Sequence, residues 1–133
     1  MDYENLADTR RIQEYVTNMR PAFNKRAVFS DETENYRTPA EPEPGDVVNI
    51  RIRTKSNNVD FVYLVAGNLR QRMKLLGTKD GFDYYGTDIK LGAQSIRYFF
   101  EVISGKIQCY YNKMGITKEI DEHYSFGIVP GFH

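Results

Sequence analysis

The feature that most constrains this chain is a change of period just after residue 46. Val48, Ile50 and Ile52 alternate with Asn49, Arg51 and Arg53, which places three apolar side chains on one face of an extended strand and three polar ones on the other. A helix would scatter the two sets around its axis. A strand with one wet face needs a second layer to cover the dry one, so the alternation asks for a sheet packed on something. The run before it, Pro39-Ala40-Glu41-Pro42-Glu43-Pro44-Gly45-Asp46, has three prolines that lack amide donors and hold the backbone extended. It reads as a loop leading into the sheet.

Beyond that strand, turn signals recur at Asn57-Asn58, Asp80-Gly81, Gly92, Gly105 and Gly115. They cut the chain into short segments with β-type composition at 59–66, 72–76, 82–89, 96–103, 107–112 and 124–129. With the first, these make about seven antiparallel strands, the count expected of an all-β, immunoglobulin-like β-sandwich of seven to eight strands. Residues 1–22 read differently. Ile12, Tyr15, Val16 and Met19 fall on one helical face, Asp2 can cap the start and Pro21 marks the end, which predicts a helical extension ahead of a sandwich domain over 23–133. Such a helix either packs on its own domain or docks a partner.

A chain of 133 residues is one domain's worth and can bury a core without disulfides or a structural metal. Lys plus Arg and Asp plus Glu number 18 each, so no net field would steer the chain to nucleic acid or an anionic membrane, and neither is expected as a partner. The apolar runs are too short to span a bilayer, and the acidic start lacks the basic-then-apolar order of a signal peptide. One cysteine, Cys109, and two histidines, His123 and His133, supply no zinc-ligand spacing, so no metal or other cofactor is expected; Cys109 reads as a small buried hydrophobe. No phosphate loop, nucleophile elbow or His-Glu zinc motif occurs, and the carboxylates at Asp31, Glu32, Glu34, Glu119, Asp121 and Glu122 read as solvated charges rather than a glycosidase pair.

Aromatic content is the unusual feature: ten Tyr and eight Phe, with no Trp. Flat rings beside amides, carboxylates and guanidinium groups suit the C–H faces and hydroxyl rims of sugars, and they also suit simple core packing. The doublets Tyr84-Tyr85 and Tyr110-Tyr111 put one ring on each side of a strand, so one of each pair packs inward and the other faces out. Asn112 and Lys113 follow Tyr111 into a turn, and Tyr36 and Arg37 lie in a loop open either to a ligand or to an interdomain seam.

Four blocks occur in a telling order: Val47-Val48-Asn49-Ile50-Arg51-Ile52-Arg53-Thr54-Lys55, Phe82-Asp83-Tyr84-Tyr85, Ile96-Arg97-Tyr98-Phe99-Phe100-Glu101-Val102 and Tyr110-Tyr111-Asn112-Lys113-Met114-Gly115. Together they resemble the N-terminal module of neopullulanases, cyclomaltodextrinases and related family-13 glycoside hydrolases, a family-34 carbohydrate-binding module. The ending Tyr124-Ser125-Phe126-Gly127-Ile128-Val129-Pro130-Gly131-Phe132 is similar to the linker that precedes the catalytic barrel. The resemblance starts near Ala27 and leaves the helical stretch outside. It implies an immunoglobulin-like sandwich that performs no hydrolysis and binds starch-type α-1,4 and α-1,6 glucans, or in some members mainly shapes a dimer and its cleft. Where many members have Trp at the fourth position of the second block, this chain has Tyr85. The N-terminal calcium site of some members is not reproduced here.

Under the glucan reading, the expected contacts are Tyr85, Tyr111 and Tyr36 stacking on glucose units of a maltooligosaccharide or polysaccharide, with Asn112, Lys113 and Arg37 bonding the hydroxyls. The competing expectation is an interaction domain whose aromatic surface packs on the C-terminal catalytic barrel or a partner subunit without binding glucan.

Overall fold

The computed structural model describes residues 22–131. The helix expected over 2–20 lies outside them, and the boundary expected at residue 22 falls at their edge. Among the described residues ten strands form: β1 (Arg37–Thr38), β2 (Val47–Lys55), β3 (Phe61–Ala66), β4 (Leu69–Arg72), β5 (Lys74–Lys79), β6 (Phe82–Lys90), β7 (Ile96–Ser104), β8 (Ile107–Asn112), β9 (Gly115–Thr117) and β10 (Phe126–Ile128). They make two antiparallel sheets, one in the order β1-β2-β6-β5 and one in the order β4-β3-β7-β8-β9, with β10 also paired to β7. The expected all-β sandwich is what forms.

The core lies between the sheets and follows the strand period. Val48, Ile50 and Ile52 of β2 are fully buried, facing Val62 and Leu64 of β3 and Tyr98, Phe100 and Val102 of β7. Asn49, Arg51 and Arg53 are only partly covered on the outer side. At the β7 end, Tyr98 stacks on Phe126 at 5.3 Å between ring centres, and Phe126 on Tyr111 at 6.1 Å. Such ring pairs add about 0.5–1.5 kcal/mol each to the area they bury.

Differences from the sequence expectation have local causes. The segment expected at 72–76 is two strands, because Met73 is buried and donates its amide to Val62 O at 2.8 Å while the chain crosses from one sheet to the other. The segment expected at 124–129 is shortened to β10 because Asp121 caps a 3-10 turn over Glu122–Tyr124, accepting from the His123 amide at 3.2 Å. The Asp80-Gly81 signal is a tight hairpin between β5 and β6 with positive φ at both residues, 54° and 82°, the twist a two-residue hairpin needs. Among the described residues no helix is long and apolar enough to cross a membrane.

Candidate functional site

The outer face of the four-stranded sheet carries an open cleft. In the β2–β6 ladder Ile52 pairs with Tyr85 and Arg53 with Tyr84, so the inward phase of β2 sends Tyr85 into the core and turns Tyr84 outward. On the neighbouring edge, β5 pairs Leu75 with Tyr85 and Gly77 with Tyr84, and Leu76 is the extra residue of a bulge. Its side chain lies across Gly86: a Cβ there would sit 2.6 Å from Leu76 Cδ1. Gly86 is therefore what lets Leu76 form a wall.

Tyr36 reaches this face from the loop before β1. Its amide donates to Thr33 O at 2.9 Å, and its carbonyl accepts from the Arg51 amide at 2.8 Å. Its ring meets Phe29 edge-on at 5.2 Å, and Phe29 is itself bridged to Arg53. The Arg53 guanidinium lies over the Phe82 ring at 4.4 Å and over Phe29 at 5.3 Å, and its buried Nε has no hydrogen-bond partner among the described residues. Burial pushes the Tyr36 hydroxyl above its ordinary 10.0, with Arg53 pulling the other way, so the phenol stays neutral at physiological pH. The resulting cleft holds about 510 Å³ between Tyr36, Tyr84, Leu76 and Gly77, with Asn35, Thr78 and Lys79 at its rim. Two phenol rings beside an amide, a hydroxyl and an ammonium complement a neutral polyol better than an anion or a metal.

The six residues singled out from sequence take mostly internal positions. Tyr85 is buried, its hydroxyl 3.5 Å from Val59 O. Tyr111 is buried in the aromatic core and donates to Ser30 O at 3.4 Å. Both correct the expectation of an exposed stacking ring, and the reason is strand phase: Ile89 and Tyr85 share one side of β6, Cys109 and Tyr111 one side of β8. Asn112 is buried and closes the β8–β9 turn, accepting from the Met114 amide at 2.9 Å. Arg37 is buried as well. Its guanidinium donates to Ala40 O at 2.9 Å, Gly127 O at 2.9 Å and the Tyr98 hydroxyl at 3.3 Å, tying β1 of one sheet to β10 of the other. Lys113 is exposed and sits 3.6 Å from Glu32, which also pairs with Arg37 at 3.4 Å. Only Tyr36 borders the cleft, and it too is largely buried, with 9% of its surface exposed. Of the Tyr84-Tyr85 doublet, the wrong ring was assigned to the ligand: counting back by twos from the apolar Ile89 turns Tyr85 inward and Tyr84 outward.

Residues 23–129 match the sequence model of a family described as the alpha amylase, N-terminal ig-like domain. The chain belongs to that family. A cyclomaltodextrinase of Thermoanaerobacter pseudethanolicus is 29% identical to this Ig-like domain over 111 residues, covering 77% of the chain but 19% of the relative. The chain thus spans about a fifth of the length of that curated relative. Among solved structures, a cyclomaltodextrinase superposes with a TM-score of 0.67 at 22% identity, covering 78% of this chain and 19% of that one. A maltogenic amylase from S. marinus gives 0.59 at 14% identity (80% and 15% covered) and the type III pullulan hydrolase from Thermococcus kodakarensis 0.54 at 19% (80% and 17%). At such identities the superpositions speak for the fold alone.

Proposed function

We propose that this Ig-like domain is a non-catalytic α-glucan-binding module, of the family-34 carbohydrate-binding kind, belonging to an α-amylase-family enzyme of the cyclomaltodextrinase or neopullulanase type. The observation that carries the reading is the outward cleft in which Tyr36 and Tyr84 stand among Asn35, Thr78 and Lys79. A glucose unit stacks its C–H face on Tyr84, above the largely buried Tyr36, while the rim groups exchange hydrogen bonds with the hydroxyls. The name of the sequence relative, a cyclomaltodextrinase, supports an α-glucan as ligand. Affinity for a short oligosaccharide is modest, because one stacked ring on a wet surface offsets little of the cost of ordering a sugar. Hydrolysis belongs to a catalytic barrel in the parent enzyme.

Affinity electrophoresis in gels containing amylopectin, glycogen or pullulan tests the reading. The folded chain is expected to be retarded in at least one of them. Migration unaffected by all three polysaccharides removes glucan binding. One observation favours a second reading, an interaction domain packed on the barrel or a partner subunit: the β5 edge exposes apolar surface on both its sides, Leu75 beside Tyr85 and Leu76 toward the cleft, 56% and 55% exposed. That reading expects self-association of the isolated chain in sedimentation and no retardation by glucan.

A further inference from the structure

The outer face of the six-stranded sheet, on the far side of the sandwich from the cleft, repeats its chemistry in another form. One row runs straight across five strands: Arg72 opposite Tyr63, Tyr63 opposite Glu101, Glu101 opposite Tyr110, and Tyr110 opposite Thr117. Residues directly opposite one another project to the same side. The buried neighbours Val62, Leu64, Phe100, Val102, Cys109 and Tyr111 occupy the other side, so this row faces away from the core. With neighbouring strands about 4.8 Å apart, Tyr63 and Tyr110 stand about 10 Å from each other with Glu101 between them.

Each ring in or beside this row is coupled to a charged group or another ring. The Arg70 guanidinium lies 3.7 Å over Tyr63 and Arg72 4.7 Å over Phe61. Tyr110 leans edge-on against Phe99 at 5.9 Å. Glu101 is only 5% exposed although it points out of the sandwich; its carboxylate accepts from Arg70 Nε at 2.7 Å and from the Gln108 amide. A carboxylate so enclosed is held in one position by its neighbours. The Arg70 side chain it holds is half exposed and keeps guanidinium donors beyond that bond. A surface built to dock a protein would present contiguous apolar area. This one instead alternates flat rings with fixed planar donors and acceptors on rigid strands, which is what a hydroxyl-rich, uncharged ligand requires.

We infer that this row is a second glucan-binding surface, so that one module engages two glucan segments on opposite faces. The inference rests on the glucan reading of the Tyr36–Tyr84 cleft. Tyr110 supplies the stacking ring; the half-exposed Arg70 and the exposed Gln108 supply the hydrogen bonds, and the enclosed Glu101 holds both of them in place. Two faces on one rigid body make binding to a branched polymer multivalent and tighter than to a short oligosaccharide, by about a hundredfold or more where both can engage one molecule. They also let a monomer cross-link polymer chains.

The full 133-residue chain is titrated calorimetrically with a maltooligosaccharide, and its cross-linking of amylopectin is followed by light scattering. The expected result is two oligosaccharides per chain, with scattering that rises and then falls at excess module. Tyr110→Ala, with its fold checked by circular dichroism, reduces the count to one and abolishes cross-linking. Gln108→Ala, at an exposed position, weakens the second site several-fold. A single site in the wild type that Tyr110→Ala and Gln108→Ala leave untouched overturns the inference while preserving the cleft. Absence of binding to any glucan overturns both.

Discussion

Tyr84 and Tyr85 are joined by one peptide bond and serve opposite sides of the same sheet. Tyr85 packs inward against the core and Tyr84 lines the outer cleft. The doublet Tyr110-Tyr111 divides in the same way, with Tyr111 in the aromatic core and Tyr110 on the outer row. The residues are chemically identical, so the strand's phase decides which of them is structural and which is free to meet a ligand. That phase is set at a distance, by the apolar residues two and four positions along the strand.

If the inner and outer faces divide the work in this way, inner substitutions cost stability and outer ones cost binding. The largest effect is expected from Phe100→Ala, which removes a fully buried ring touching Tyr98, Phe126 and Tyr111. Urea denaturation should show a loss of about 3–5 kcal/mol. Next comes Arg37→Met. Loss of the guanidinium leaves the Gly127 and Ala40 carbonyls and the Tyr98 hydroxyl short of a donor, at a cost of about 3 kcal/mol. Its glucan affinity should match the wild type wherever the variant is folded. A stable Arg37→Met protein that no longer binds would return Arg37 to the ligand side of the division.

The inner face also sets the alkaline limit. Burial raises the Tyr98 hydroxyl from 10.0 to about 12 and the Cys109 thiol from 9.0 to about 11. In the unfolded chain these groups release their protons first, so from pH 9 upward the native state binds more protons and stability falls as pH rises. Below pH 9 this contribution is fully present and flat. Thermal melts between pH 7 and 11.5 should show a midpoint that holds to about pH 9 and then declines, with Cys109 unreactive to thiol reagents in the folded protein at pH 8. The smallest effect on stability is expected from Tyr84→Ala, within about 0.5 kcal/mol, because the ring is half-buried on the outer surface.

How much of this was legible in the sequence depends on the reach of each signal. Val48, Ile50 and Ile52 specify their strand face locally, and the Asp80-Gly81 hairpin carries its own backbone requirement, so both were readable. β1 and β9 were missed because strands of two and three residues contain too few positions to show a period. The site was misread for a different reason. Asn112 and Arg37 are polar residues in or near loops, where ligand contacts concentrate, yet both are buried because each satisfies backbone groups of its own fold. Arg37's partners lie as far away as Gly127, ninety positions along the chain. No local pattern encodes such a pairing. The orientation of Tyr84, by contrast, was within reach of the period of its own strand.

The most direct measurement compares Tyr84→Ala with Tyr85→Phe for retardation by amylopectin, both variants having been shown to be folded. Tyr85→Phe removes only an internal hydroxyl and should migrate as the wild type does. Tyr84→Ala should lose about tenfold or more in affinity, equivalent to roughly 1.4 kcal/mol. Equal retardation of wild type and Tyr84→Ala, or loss of retardation in Tyr85→Phe, would contradict the assignment of recognition to the outer ring.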